Sequence, residues 1–71
     1  MNVIKALSIL RHQSDKHPST LTSRQLTVKY NNRFDCSCNW HEASSILDQA
    51  HSGGLISATG IDSSGMTIYK W

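Results

Sequence analysis

Apolar residues at the start of the chain recur at the spacing of an amphipathic helix. The stripe and the positions that widen it are Val3, Leu7 and Leu10, with Ile4, Ala6 and Ile9. This pattern predicts a first helix over Asn2–Ser14. The ring of Pro18 disfavours helical backbone at His17, so the helix must end before that point.

A second helix has a clear local start signal. Thr22 is a favourable N-cap residue, and Gln25 stands three positions later, as in a capping box. We predict that this short helix ends at Asn31–Asn32. The stretch Asn31–Cys38 is then predicted to be the loop to the next helix.

The third helix is predicted from both its cap and its periodicity. Asn39 and Glu42 repeat the N-terminal signature of the second helix. The following apolar residues match the i, i+3, i+4, i+7 pattern of a helix packed on one side, namely Ala43, Ile46, Leu47 and Ala50. The segment Ser52-Gly53-Gly54 ends the helix, because a glycine there can adopt a left-handed cap.

Strand-forming residues dominate the remainder of the chain. Leu55–Thr59 and Met66–Trp71 are predicted strands, joined by the Ser-, Asp- and Gly-rich turn Gly60–Gly65. The length of 71 residues allows one domain at most. We therefore predict a single α+β domain over residues 1–71, with three helices followed by a C-terminal two-stranded β-hairpin.

This order of elements resembles the winged helix-turn-helix family of small bacterial, plasmid or phage regulators. The resemblance covers nearly the whole chain, and its matching segments are Leu21-Thr22-Ser23-Arg24-Gln25-Leu26, Ala43-Ser44-Ser45-Ile46-Leu47, Gly54-Leu55-Ile56 and Tyr69-Lys70-Trp71. It implies a winged-helix fold and a DNA-binding transcriptional regulator that contacts double-stranded DNA. The third helix of such a protein enters the major groove, and the hairpin tip contacts the minor groove or the phosphates.

Carried onto this chain, the resemblance implies a specific set of DNA-facing residues. On the third helix they are Trp40, His41, Ser44, Ser45, Asp48 and Gln49, and at the hairpin tip Asp62, Ser63 and Ser64. Serine, glutamine and histidine can hydrogen-bond base edges. Three basic residues belong to the second helix and the following loop, namely Arg24, Lys29 and Arg33. They either hold phosphates on one flank or form an ordinary solvated helix face.

The charge pattern supports an alternative function. The chain has 7 Lys and Arg against 5 Asp and Glu, a net charge of only +2. No Lys or Arg lies between Asn39 and Gln49, where Glu42 and Asp48 are acidic, although phosphate neutralisation supplies most non-specific DNA affinity. The alternative is a winged-helix module, such as a phage or plasmid accessory protein, that binds a protein partner and no DNA.

Other chemistry is weakly represented. Cys36, Cys38 and His41 could ligate zinc, but their spacing is unusual and a fourth ligand would be distant. The chain has no phosphate loop and no carboxylate pair, and little room for a substrate cleft. We expect no enzymatic activity, no metal and no cofactor.

Location and assembly are also predicted from the sequence. No apolar run approaches the roughly 18 residues of a membrane span, and the apolar N-terminal positions are interrupted by polar ones. We expect a cytoplasmic protein without membrane contact. A homodimer is expected because one small module buries little DNA surface, with Ile4 and Ile9 of the first helix at the interface.

Overall fold

Three helices and a three-stranded antiparallel sheet make up the computed structural model, which describes residues 1–71. The elements in chain order are α1 (Val3–Gln13), β1 (Thr20–Leu21), α2 (Ser23–Phe34), α3 (Trp40–Ser52), β2 (Ser57–Ile61) and β3 (Thr67–Lys70). The predicted α+β class and the three helices are confirmed. None of the helices combines the length and the apolar character that crossing a membrane requires.

Both predicted capping boxes are formed. The Thr22 hydroxyl accepts the Gln25 N–H, and the Gln25 side chain accepts the Thr22 N–H at 3.0 Å. Asn39 and Glu42 make the same reciprocal pair at the start of α3. These bonds satisfy amides that the first helical turn leaves without partners, so both starts are encoded locally.

The predicted end of α2 at Asn31–Asn32 is wrong, because the helix continues to Phe34 and ends at Asp35 in a left-handed conformation (φ 52°). The Asn31 side chain serves the α2–α3 connection instead of ending the helix. Its amide nitrogen donates to the Cys38 carbonyl at 2.9 Å, and its oxygen accepts the Cys38 N–H at 3.0 Å. The predicted loop 31–38 is therefore only a short connection after Phe34.

The buried face of α1 differs from the predicted stripe. Ala6, Ile9 and Leu10 are buried, whereas Val3 is 50% and Ile4 80% exposed. The buried face is the one that packs against α2, α3 and β1. The spacing of apolar residues within one helix does not show which side of it three other elements will cover. The proposed dimer interface through Ile9 is consequently wrong, since that side chain is only 5% exposed and belongs to the core.

The sheet has three strands in the order β1-β3-β2, whereas the sequence predicted only the two strands of the hairpin. The additional strand, β1, consists of two residues that pair with Lys70 and Tyr69 of β3. Both hairpin strands also start later than predicted, and a register shift at Thr59 marks a bulge in β2. The last strand in the sequence thus occupies the centre of the sheet.

The core lies between the three helices and the inner face of the sheet. Its eleven buried hydrophobic residues include four side chains with almost no exposure, namely Leu10, Leu21, Leu26 and Leu47. Tyr69 is the β3 residue in this core, and Ile56 joins it from the segment before β2. Packing on one side leaves the outer faces of α2 and α3 available for contacts with other molecules.

Candidate nucleic-acid interface

The outer surface of α3 divides into two rows of residues spaced four apart. Trp40, Ser44 and Asp48 line a groove beside the hairpin. His41, Ser45 and Gln49 are exposed to solvent. The six α3 residues expected at DNA therefore lie on adjoining surfaces with different surroundings, because residues four apart share one face of a helix.

The groove beside the hairpin, here the α3–hairpin groove, has a volume of about 360 Å³. Its lining residues are Ser23 and Arg24 of α2, Trp40, Ser44 and Asp48 of α3, and Ser64, Gly65, Met66, Thr67 and Tyr69 of the hairpin. Three separate elements thus meet at one surface. Of the twelve predicted DNA-contacting residues, the groove brings together five: Arg24, Trp40, Ser44, Asp48 and Ser64.

Arg24 and the aromatic residues of α3 form a stack at one end of this groove. The Arg24 guanidinium carbon lies 5.2 Å from the centroid of the half-buried Trp40 ring. That ring stacks on His41 with 3.9 Å between ring centroids. A cation over an aromatic face is attracted by the ring quadrupole, so the stack holds a positive charge beside α3, which has no Lys or Arg of its own.

Asp48 is joined to the hairpin by a hydrogen bond. The Tyr69 hydroxyl donates to Asp48 Oδ1. Burial of Tyr69, followed by this hydrogen bond, raises the pKa of its hydroxyl to about 12. The contact links α3 directly to β3 and fixes the orientation of the hairpin relative to α3.

The two other acidic residues near this surface also have partners. Glu42 pairs with the terminal ammonium of Met1 at 2.8 Å, and this hydrogen bond lowers the pKa of the carboxylate. Asp62 accepts the N–H groups of Ser64 at 3.0 Å and Met66 at 2.9 Å, and the latter bond is the main reason for its lowered pKa. The Asp62 carboxylate therefore organises the hairpin turn.

The hairpin turn presents two of the predicted contact residues. Ser63 is exposed, whereas the Ser64 hydroxyl donates to Asp62 at 2.8 Å. Gly65 has φ +87°, a conformation that L side chains rarely adopt. The turn is thus a small polar tip with a defined backbone and no basic residue.

No single groove holds all three predicted phosphate-binding residues, although Arg24 and Lys29 share a shallow surface along α2. Arg24 faces the α3–hairpin groove, whereas Lys29 and Arg33 line a separate groove between α2 and α1. His12 and Lys16 lie in that second groove, although no sequence pattern places them in a site. Their basic character was visible in the sequence, but the position of Lys16 depends on how the loop after α1 turns back, and that of His12 on how α1 packs against α2. No local pattern reports either.

The cysteine segment lies at the α2–α3 connection. Cys36 is exposed and Cys38 half-buried, and both are free thiols. The chain contains no group of three or more His, Cys, Asp or Glu residues placed to hold a metal ion. Cys38 instead contributes its backbone to the Asn31 bridge and packs against the core.

The chain matches no family model, no curated protein and no solved structure. Function is therefore inferred from the geometry of the surfaces described above.

Proposed function

We propose that the protein is a small DNA-binding transcriptional regulator of winged-helix type. In this proposal α3 enters the major groove of a duplex, and the β2–β3 turn contacts the adjacent backbone or minor groove. The observation that carries the proposal is the α3–hairpin groove, which brings the start of α2, the outer face of α3 and the hairpin turn to one surface. One duplex can contact all three of these elements at once.

The side chains of this surface and of the adjoining α3 row divide into three groups by chemistry. Arg24 supplies the phosphate contact, because its charge lies at the first turn of α2 beside α3. The exposed row His41, Ser45 and Gln49 supplies hydrogen-bonding groups for base edges. Ser63 and Ser64 supply polar contacts from the hairpin turn.

The partners of the acidic residues weaken the main objection to DNA binding. Glu42 is paired with an ammonium group, and Asp62 accepts hydrogen bonds from its own turn. Asp48 is directed to Tyr69. These charges are engaged within the fold, which reduces the repulsion that the sequence alone indicates.

The test is a fluorescence-anisotropy titration of a mixed-sequence duplex over a range of salt concentrations. Arg24→Gln should weaken binding and reduce the slope of log affinity against log salt by about 1, as expected for one lost phosphate contact. The matched control is Arg11→Gln, since Arg11 is an exposed basic residue on α1 outside every groove named above. The control should retain the parent salt slope.

Two results would contradict the proposal. One is the absence of salt-sensitive duplex binding by the parent protein at low salt. The other is an equal effect of Arg24→Gln and Arg11→Gln, because general loss of charge would then explain the change.

A protein-interaction module is the second candidate, and one observation favours it. Trp40 and the 59% exposed Val28 line one shallow surface together with Arg24. Trp and Arg are enriched among residues that dominate protein interfaces. Under this hypothesis Val28→Ser abolishes partner binding, whereas under the DNA hypothesis it leaves duplex affinity unchanged.

Homodimerisation remains part of the DNA-binding proposal, because a single small module buries little DNA surface. The exposed apolar residues Val3 and Ile4 are the surface we assign to the second copy. Sedimentation equilibrium of the parent and of Ile4→Asp tests this assignment. A concentration-dependent dimer that the substitution disperses supports it, and a parent that stays monomeric at high concentration contradicts it.

A further inference from the structure

A second groove lies between α1 and α2. Two lysines, an arginine and a histidine surround it, and none of its lining residues is acidic. The lining residues are Ile9, His12, Gln13, Lys16, Lys29, Asn32 and Arg33. Together these residues form the α1–α2 groove.

The positive charges of the α1–α2 groove have no acidic partners. The one ion pair of the structure joins Met1 to Glu42 and involves no residue of this groove. Lys16, Lys29 and Arg33 are all exposed at the surface. Their N–H donors are therefore available to a ligand, without an internal ion pair that would first have to break.

The floor and one wall of the groove are held in place by the fold. Gln13 is only 7% exposed, and its side-chain amide donates to the Pro18 carbonyl at 2.5 Å. The Lys16 N–H donates to the Gln13 carbonyl at 2.9 Å. The loop that carries Lys16 is thus attached to α1, opposite the α2 residues Lys29 and Arg33.

We propose that the α1–α2 groove is a binding site for phosphoryl groups, separate from the α3–hairpin groove. Lysine provides a compact charge and arginine a planar fork of donors, the two side chains that proteins use most for phosphate. Asn32 adds an amide donor at the rim. The inference goes beyond the proposed DNA contact, because it concerns a different side of α2 and does not require α3 to bind a duplex.

The size of the groove limits the ligand. Its volume of about 280 Å³ lies just below the range of ligand pockets, which begins near 300 Å³. It accommodates one or two phosphoryl groups and leaves the remainder of a larger ligand outside. Free phosphate compounds and the phosphodiester backbone of DNA share this chemistry, and the experiment distinguishes them.

A purely structural explanation also exists for the basic residues. Arg33 lies in the last turn of α2 and His12 in the last turn of α1, where cations stabilise the helix dipole. That explanation predicts a loss of stability when these charges are removed, but no saturable binding of anions. Binding and stability must therefore be measured on the same variants.

The experiment is an amide-shift titration of labelled protein with sodium pyrophosphate, at constant ionic strength maintained with chloride. A second titration uses a mixed-sequence duplex. The test variant is Lys29→Gln with Arg33→Gln, and the matched control is Arg11→Gln with Lys70→Gln, which also removes two exposed positive charges outside the groove. Lys16→Gln is a second test variant, chosen because Lys16 lies in the loop after α1.

The proposal predicts saturable pyrophosphate shifts at His12, Lys16 and Asn32. It also predicts an affinity lowered at least roughly tenfold in the test variant and unchanged in the control, since hydrogen bonds to charged groups are the strong ones. Groove shifts with the duplex alone identify the DNA backbone as the source of the phosphoryl groups. The absence of saturable groove shifts with both probes overturns the proposal. Equal affinities of the test and control variants for pyrophosphate also overturn it. If the variant with Lys29→Gln and Arg33→Gln fails to fold, the affinity of Lys16→Gln is compared with the control in the same way.

Discussion

The hydrogen bond between Tyr69 and Asp48 offers a direct test of how the hairpin is held against α3. Tyr69→Phe removes the hydroxyl that donates to Asp48 and keeps the buried ring. The ring contact with His51, at 6.0 Å between centroids, is available to phenylalanine as well. The substitution therefore isolates the hydrogen bond from the packing of the aromatic ring.

The magnitude follows from two considerations. A hydrogen bond to a charged group contributes about 1.5–3 kcal/mol. The pKa of Tyr69 rises from 10.0 to about 12, first through burial and only second through this hydrogen bond, so the bond accounts for only part of the at most about 2.7 kcal/mol that this rise represents. Because Asp48 is exposed, solvent screening reduces both values. We expect Tyr69→Phe to lower the free energy of unfolding at pH 7 by about 1.5 kcal/mol.

The pH dependence has a defined sign. The neutral hydroxyl is the form that the fold favours, so its contribution is fully present below pH 10. It is lost as the pH rises from 10 toward 12, where the unfolded tyrosine ionises more readily than the folded one. The parent protein should therefore lose more stability over this window than Tyr69→Phe.

Urea unfolding at pH 7, 9 and 11, followed by tryptophan fluorescence, measures both effects. Asp48→Ala and the double variant complete a double-mutant cycle, with an expected coupling energy of about 1 kcal/mol. A change in stability at pH 7 of less than about 0.3 kcal/mol for Tyr69→Phe, the usual scatter between independent sites, would show that the hydrogen bond does not hold the hairpin against α3. Equal losses of stability in the parent and the variant between pH 9 and 11 would show that folding does not raise the pKa of Tyr69.

Three further predictions concern the α2 cap, the surface charge of α3 and the hairpin turn. Thr22→Ala removes one half of a capping box and should cost about 1 kcal/mol in urea unfolding, whereas Thr22→Ser should restore most of it. Asp48→Asn keeps an acceptor for Tyr69 and removes a negative charge from the α3–hairpin groove. Duplex affinity at low salt should rise about threefold, the effect of removing one charge about 7 Å from a phosphate in water. An unchanged affinity would place the groove away from DNA. The hydrogen bond from the Met66 N–H lowers the pKa of Asp62. The ionised carboxylate therefore stabilises the turn above pH 3.8, and this stabilisation is lost as the pH falls below that value. On acidification the amide shifts of residues 62–66 should change before those of α3.

Local signals allowed accurate prediction of the helix starts. Thr22 with Gln25, and Asn39 with Glu42, form their bonds within one helical turn, so the relevant partners are visible in a short segment. The apolar stripe of α3 was predicted for the same reason, and Ala43, Ile46 and Leu47 are buried.

Features that depend on distant partners were not predictable in this way. β1 exists only because Thr20 and Leu21 pair with residues almost fifty positions later. The predicted end of α2 was wrong because the Asn31 side chain bonds to the Cys38 backbone and does not end the helix. Local sequence rules do not distinguish these two roles of an asparagine. The division of the basic residues between two grooves depends on α1 and its loop, so the sequence supplied the residues of the site but not their grouping.

The position of β3 has a consequence for how the chain acquires its structure. Synthesis delivers all three helices and both outer strands before the strand that connects them. Until residues 67–70 have left the ribosome, β1 and β2 have no neighbour with which to pair, and the core lacks Tyr69. Both strand pairings therefore wait for residues 67–70, and a polypeptide interrupted before that point would retain helices whose inner surface is left partly uncovered.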